Sequence, residues 1–214
     1  MDAFLTPDER ALRQEVRNIF RERALAGPQN ASFDSASLAA ISRRLKELGH
    51  PDLLDSGPGA GPTGLLERAL IIEEVSAASP ETARALFGAP EGQAGGPGGA
   101  DPAAEVARAI GTAAAILETC LRAAREKGFF DSTLMDYQKA QADLANALSG
   151  LEAERLQAYR ALRLLERGDK DRGDKELGHA SARVQEILDE ARSLLSGLLG
   201  GSGPPQKASE QERK

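Results

Sequence analysis

Residues 88–100 read GAPEGQAGGPGGA, and this stretch constrains the chain more than any other. Glycine is costly to order and proline removes a backbone donor, so such a segment holds neither helix nor strand. It reads as a flexible Gly/Pro linker. On either side the sequence is rich in Leu, Ala, Glu and Arg, the good helix formers. Aromatic residues make up only 4% of the 214 residues. That disfavours a β-sandwich or barrel, which draws on aromatic and β-branched residues. No segment alternates with period two. The expectation is an all-α chain: an N-terminal helical group over 1–87, the linker over 88–100, a helical bundle over 101–203 and a disordered tail over 204–214.

The helix signals place the elements. Thr6-Pro7-Asp8-Glu9 is a capping box with proline at the first helical position. Leu12, Val16, Ile19 and Phe20 follow at helical spacing, and Gly27-Pro28 sets the limit. A second helix is expected from Asp34 or Ser35 to Gly49, with Leu38, Ile41, Leu45 and Leu48 on its stripe. Thr63 offers a cap for a third, carrying Leu66, Leu70 and Val75. Ser79-Pro80 stops it and restarts a short helix through Phe87.

Three long helices follow the linker. Asp101-Pro102 opens the first, with Val106, Ile110, Ala113, Leu117 and Leu121, and Gly128 ends it. The second is expected from about Ser132 to Arg167, with Gly150 inside it at a cost of about 1 kcal/mol relative to alanine. The third is expected from about Asp174 to Leu199. The charged turn GDKDRGD at 168–174 makes the last two antiparallel neighbours.

Net charge is −6, with no clustered basic surface of the kind that binds nucleic acid. Cys120 is the single cysteine, so neither a disulfide framework nor a thiolate metal site can form within the chain. The start MDAFLTPDER is acidic, unlike a signal peptide. No uncharged apolar run reaches the roughly 20 residues of a membrane span. The expected setting is cytoplasmic.

Little chemistry is visible. His50 follows the Gly49 stop and reads as a helix-end residue; His179 reads as a solvated or half-buried helix residue. Neither has a ligand at metal spacing. Cys120 shares the stripe of Leu117, Leu121 and Ala124 and reads as a small buried hydrophobe rather than a nucleophile. Glu73-Glu74 and the pair Glu152/Glu154 invite a reading as paired carboxylates. Adjacent residues and i, i+2 neighbours on a helix do not face each other, so they are expected on solvated faces. Gly95-Gly96-Pro97-Gly98-Gly99 has no following Lys-Ser/Thr and is not a phosphate loop.

Several phrases in order resemble the acyl-CoA dehydrogenase family. FLTPDERALRQEVRNIFRE, LKELGHPDLL and GLLERALIIEEVSAASPETARALFGAP are similar to its N-terminal helical domain. RAIGTAAAILETCLRAAREKGFFDSTLMDYQKAQADLANALSGLEAERLQAYRALRLLERGD, followed by LLSGLLGGSG, is similar to the first helices of its C-terminal domain. The resemblance covers most of the chain and implies a helical bundle of that kind. It also implies a β-barrel between the two helical parts, and the linker at 88–100 is far too short to be one.

In the family an Arg-x-x-Phe-Gly phrase followed by a Gln helps bind the flavin diphosphate across a subunit interface. Lys127-Gly128-Phe129-Phe130-Asp131 with Gln138 stands at that place. Lys127 keeps the charge but loses the arginine fork, and Asp131 adds a negative charge where a diphosphate would lie. Gly200-Gly201-Ser202-Gly203 matches the family's glycine turn. The resemblance therefore implies a vestigial FAD diphosphate site of Lys127, Gln138, Gly200 and Gly201. The glutamate that removes the α-proton lies in the family's final helices, and no residue here matches it; the catalytic set is expected to be empty.

Three functions follow from this reading. The first is a non-catalytic, acyl-CoA dehydrogenase-like subunit related to fatty acyl-CoA oxidation, binding no cofactor alone. It would form a homo-oligomer or pair with a full-length acyl-CoA dehydrogenase, because helices 102–127 and 132–167 carry apolar stripes that lost helices would leave uncovered. The second is half of a split FAD-dependent acyl-CoA dehydrogenase, an oxidoreductase that holds FAD only with a completing partner. The third is a helical scaffold without ligand.

Overall fold

The computed structural model describes residues 4–24, 43, 47, 64–80, 83, 101–126, 128–129, 132–133 and 138–200. The expected helix at 34–49, the continuation to Phe87, the linker at 88–100 and the tail at 204–214 lie outside these residues, save for single helical positions at 43, 47 and 83. The described elements are α1 (Pro7–Ala24), α2 (Leu65–Ala78), α3 (Pro102–Glu126), β1 (Gly128–Phe129), β2 (Ser132–Thr133), α4 (Gln138–Glu166) and α5 (Lys170–Gly200).

The fold is all-α. α3 is its centre, packed on α2, α4 and α5, while α4 and α5 pack along each other and α1 lies chiefly on α2. The stripe Val106, Ile110, Ala113, Leu117 of α3 is buried, as are Leu144, Leu151 and Leu162 of α4 and Val184 and Leu188 of α5. These side chains form a single core with Leu66, Leu70, Ile71 and Val75 of α2. The main stripes of α3 and α4, expected to be left uncovered, are thus covered within the chain. The physical reason is that α5 is long enough to close the groove between them.

The helix ends explain the boundaries. Thr6 and Glu9 form the capping box: the Thr6 N–H donates to Glu9 Oε2 at 2.8 Å and the Glu9 N–H to Thr6 Oγ1 at 3.2 Å. Asp101 Oδ1 accepts from the N–H groups of Ala103 at 3.0 Å and Ala104 at 3.3 Å, capping α3. α2 differs from expectation. Gly64, at φ 83°, occupies its N-cap position and offers no side-chain cap. The Leu66 N–H instead donates to Glu166 Oε1 of α4 at 3.0 Å, so a distant carboxylate satisfies this helix end.

The start of α4 is also corrected. It begins at Gln138 rather than near Ser132, because Ser132–Thr133 pairs antiparallel with Gly128–Phe129 in a minimal two-strand ladder. Phe and Thr favour extended backbone. α5 begins at Lys170 rather than near Asp174. Gly168, at φ 84°, ends α4 in a Schellman motif, with the Gly168 N–H on Leu165 O and the Asp169 N–H on Leu164 O, each at 3.0 Å. The chain then restarts at once, and Gly173 helps it do so: a Cβ there would lie 2.6 Å from Leu165 Cδ2.

Candidate functional site

The densest chemistry lies where α1, α2 and α4 meet. The sequence LLERALIIEEVSAA is apolar on every side, so α2 is buried almost all round and carries Glu73 and Glu74 inward with it. Both carboxylates are buried. This corrects the expected solvated face. The helix rule holds, since neighbours along α2 do not face each other; arginines from other helices reach both.

Glu73 Oε1 pairs with Arg13 Nη2 at 2.8 Å and with Arg155 Nε at 3.0 Å, and Glu73 Oε2 accepts from the Tyr159 hydroxyl at 2.7 Å. Glu74 Oε1 accepts from Arg13 Nε and Arg17 Nη2, both at 2.6 Å, and Glu74 Oε2 from Arg17 Nε at 3.0 Å. Arg155 also binds Glu152. Arg13 and Arg17 are four residues apart on α1 and so share the face that meets α2. Arg13, Arg17, Arg155 and Tyr159 carry this cluster, and none stood out in the sequence. The available signal was the pair of arginines at i, i+4 within the apolar stripe of α1.

The two glutamates respond oppositely to their surroundings. Burial pushes Glu73 above the ordinary carboxylate value, against the pull of Arg155, Arg13 and Tyr159. Burial also opposes the charge on Glu74, but the hydrogen bonds from Arg17 and Arg13 outweigh it and hold Glu74 below that value. Burial, reinforced by the Glu73 charge, pushes the Tyr159 hydroxyl far up, so it stays protonated and donates to Glu73. Every carboxylate oxygen of Glu73 and Glu74 faces a cation or a hydroxyl. Chemically the cluster is a three-helix clamp.

The other singled-out residues are spread over the bundle. His179 is exposed on α5, and His50 lies outside the described residues. Cys120 is fully buried against α5, its Sγ 3.8 Å from Ala191 O, and burial pushes its thiol up. Glu152 and Glu154 are half-buried on different faces of α4: Glu152 joins Arg155, while Glu154 lies 3.9 Å from Arg183. A surface depression of about 440 Å³ is lined by Phe4, Leu156, Gln157, Arg160 and Glu176. Its carboxylate is also engaged, with Arg172 at 2.9 Å and Arg160 at 3.3 Å.

Of the expected diphosphate residues, Gln138 is exposed at the first position of α4 and Gly200 is the last residue of α5. The antiparallel course of these helices puts both at one end of the pair. Lys127 and Gly201 lie outside the described residues. Among the described residues no group of three or more His, Cys, Asp or Glu side chains is arranged to hold a metal ion. Among them, too, no helix is long and apolar enough to cross a membrane.

Residues 103–209 match the family model for the acyl-CoA dehydrogenase C-terminal domain. No curated protein and no solved structure matches the chain.

Proposed function

The chain belongs to the acyl-CoA dehydrogenase family by its C-terminal domain, and from that premise we propose that it is a helical subunit acting through association, with no catalytic centre of its own. It assembles with further copies or with a full-length acyl-CoA dehydrogenase. Association is inferred from the family membership, and the lack of a catalytic centre is supported by the commitment of Glu73 and Glu74 to Arg13, Arg17, Arg155 and Tyr159. Removing an α-proton requires a base with a free lone pair within hydrogen-bond reach of substrate. Glu73 and Glu74 spend their oxygens on holding helices together; Glu176 in the surface depression gives Oε1 to Arg172, while its Oε2 lies 3.3 Å from Arg160 without a hydrogen bond.

Light scattering on the eluting full-length chain, with absorbance read at flavin wavelengths, tests the proposal. A colourless multimer, or a colourless chain that co-elutes with an added full-length dehydrogenase, supports it. A stable monomer that joins no such enzyme, or a chain that carries stoichiometric flavin, overturns it.

A second reading, half of a split FAD-dependent enzyme, draws on one observation. Gln138 and Gly200 share one end of the α4–α5 pair. With Lys127 and Gly201 they would form the edge of a diphosphate site completed by a partner, the flavin then supplying hydride acceptance. Flavin retained only in the mixed complex, and lost on Gln138→Ala, would favour this second reading.

A further inference from the structure

We propose that α1 is a releasable strap, which undocks as a unit while α2, α3, α4 and α5 stay folded together. The inference rests on how the charges are shared and does not depend on the proposed function.

Among the described residues, ion pairs tie α1 to the other helices at two places. Near its start, Glu9 pairs with Arg163 of α4. Midway, Arg13 and Arg17 reach Glu73 and Glu74 of α2. At these places every charged group on the remaining helices except Glu74 keeps a described partner without α1. Arg163 keeps Glu166 at 3.0 Å, and Glu166 still accepts from the Leu66 N–H. Glu73 keeps Arg155 and Tyr159, and Arg155 keeps Glu152. Only Glu74 takes all its described partners from α1. Release therefore strands no cation on the remaining helices and leaves one carboxylate to be hydrated.

The apolar side of the balance points the same way. Among the described side chains, α1 and its lead-in bury Leu5, Leu12 and Val16, with Ile19 partly buried against the core. The α3, α4 and α5 interfaces are apolar along their length. A helix held largely by charge, at the edge of an apolar bundle, belongs to the low-stability end of a structure's local openings. Glu74 is the latch, and Glu73 keeps the seat formed on α2 and α4.

Hydrogen exchange read by mass spectrometry on the full chain tests this. In the unaltered protein the α1 amides should exchange at least about tenfold faster than those of α3, α4 and α5. Glu74→Gln removes the latch. Arg17→Gln is the milder variant, because Arg17 is 39% exposed and its loss leaves no apolar gap. Each should speed α1 exchange by about tenfold and leave α4 and α5 unchanged. Exchange of α1 at the rate of α4 and α5, acceleration of all helices together, or no change of α1 in either variant would each overturn the proposal.

Discussion

The Tyr159 hydroxyl of α4 donates a 2.7 Å hydrogen bond to Glu73 of α2, and both side chains are buried. It is the one neutral donor among the cationic partners of that carboxylate. Removing the donor leaves a charged acceptor short of a partner in a low-dielectric site, which costs more than the bond's net worth. Tyr159→Phe should therefore lower unfolding free energy by about 1–3 kcal/mol. Glu73→Ala should cost more, about 3–5 kcal/mol, because it breaks a buried ion pair with both Arg13 and Arg155 and leaves the Tyr159 hydroxyl without its acceptor. Urea unfolding followed by circular dichroism measures both, and equal losses would contradict this ordering.

Gly111 sets the spacing of α2 and α3. A Cβ there would stand 2.2 Å from the carbonyl oxygen of Glu73 and 2.7 Å from Ser76 Cβ. Backbone cannot yield as a flexible side chain can, so the helices must separate. Gly111→Ala should cost about 3 kcal/mol or more, at or beyond the upper end of ordinary overpacking. Gly178 is the control. It is exposed on α5, and a Cβ there would meet nothing within 4 Å. Gly178→Ala should stabilise by about 0.5–1 kcal/mol through helix propensity. Thermal unfolding of the two variants should move in opposite directions.

Acid should act through Glu74. Its value in the folded state lies below the ordinary one, held there by Arg17 and Arg13 against burial. Its contribution to stability is therefore complete above the ordinary carboxylate value and is lost as pH falls through the depressed one. Glu73 has the opposite sign: its raised value means that the folded state takes up the proton first. Glu74→Gln should be less stable near neutrality and show a shallower loss of stability on the acid side. Denaturation midpoints from pH 7 down to pH 3 would show this, and an unchanged acid slope would contradict it.

Cys120 should behave as core. It is fully buried, and its thiol is held above its ordinary value by loss of solvation. Labelling with a thiol reagent should be at least about a hundredfold slower in the folded chain than in denaturant, since it waits on opening of the α3–α5 interface. Rapid stoichiometric labelling of the native protein would contradict the packing described.

Much of this was legible where the signal is local. The capping box at Thr6 and Glu9, the Asp101 cap and the apolar stripes of α3, α4 and α5 follow from short-range spacing, and each is present. Three features were not legible because they depend on distant residues. α2 is capped by Glu166 of α4 rather than by its own neighbour. Ser132–Thr133 joins a ladder that pushes the start of α4 to Gln138. Glu73 and Glu74 are buried because Arg13, Arg17, Arg155 and Tyr159 come from helices before and after them in the chain. Gly150 was legible as well: it reads as a plain cost to its helix, and a Cβ there would make only an ordinary 3.4 Å contact with Ile187 Cδ1.

The proposed function is association without a dehydrogenase centre in the chain itself. Acyl-CoA-dependent reduction of a dye acceptor by the purified full chain, supplied with excess FAD and tested over a range of acyl lengths, addresses it most directly. The expected rate is no higher than that of the same mixture without protein. Saturable, acyl-CoA-dependent turnover by the chain alone would contradict it.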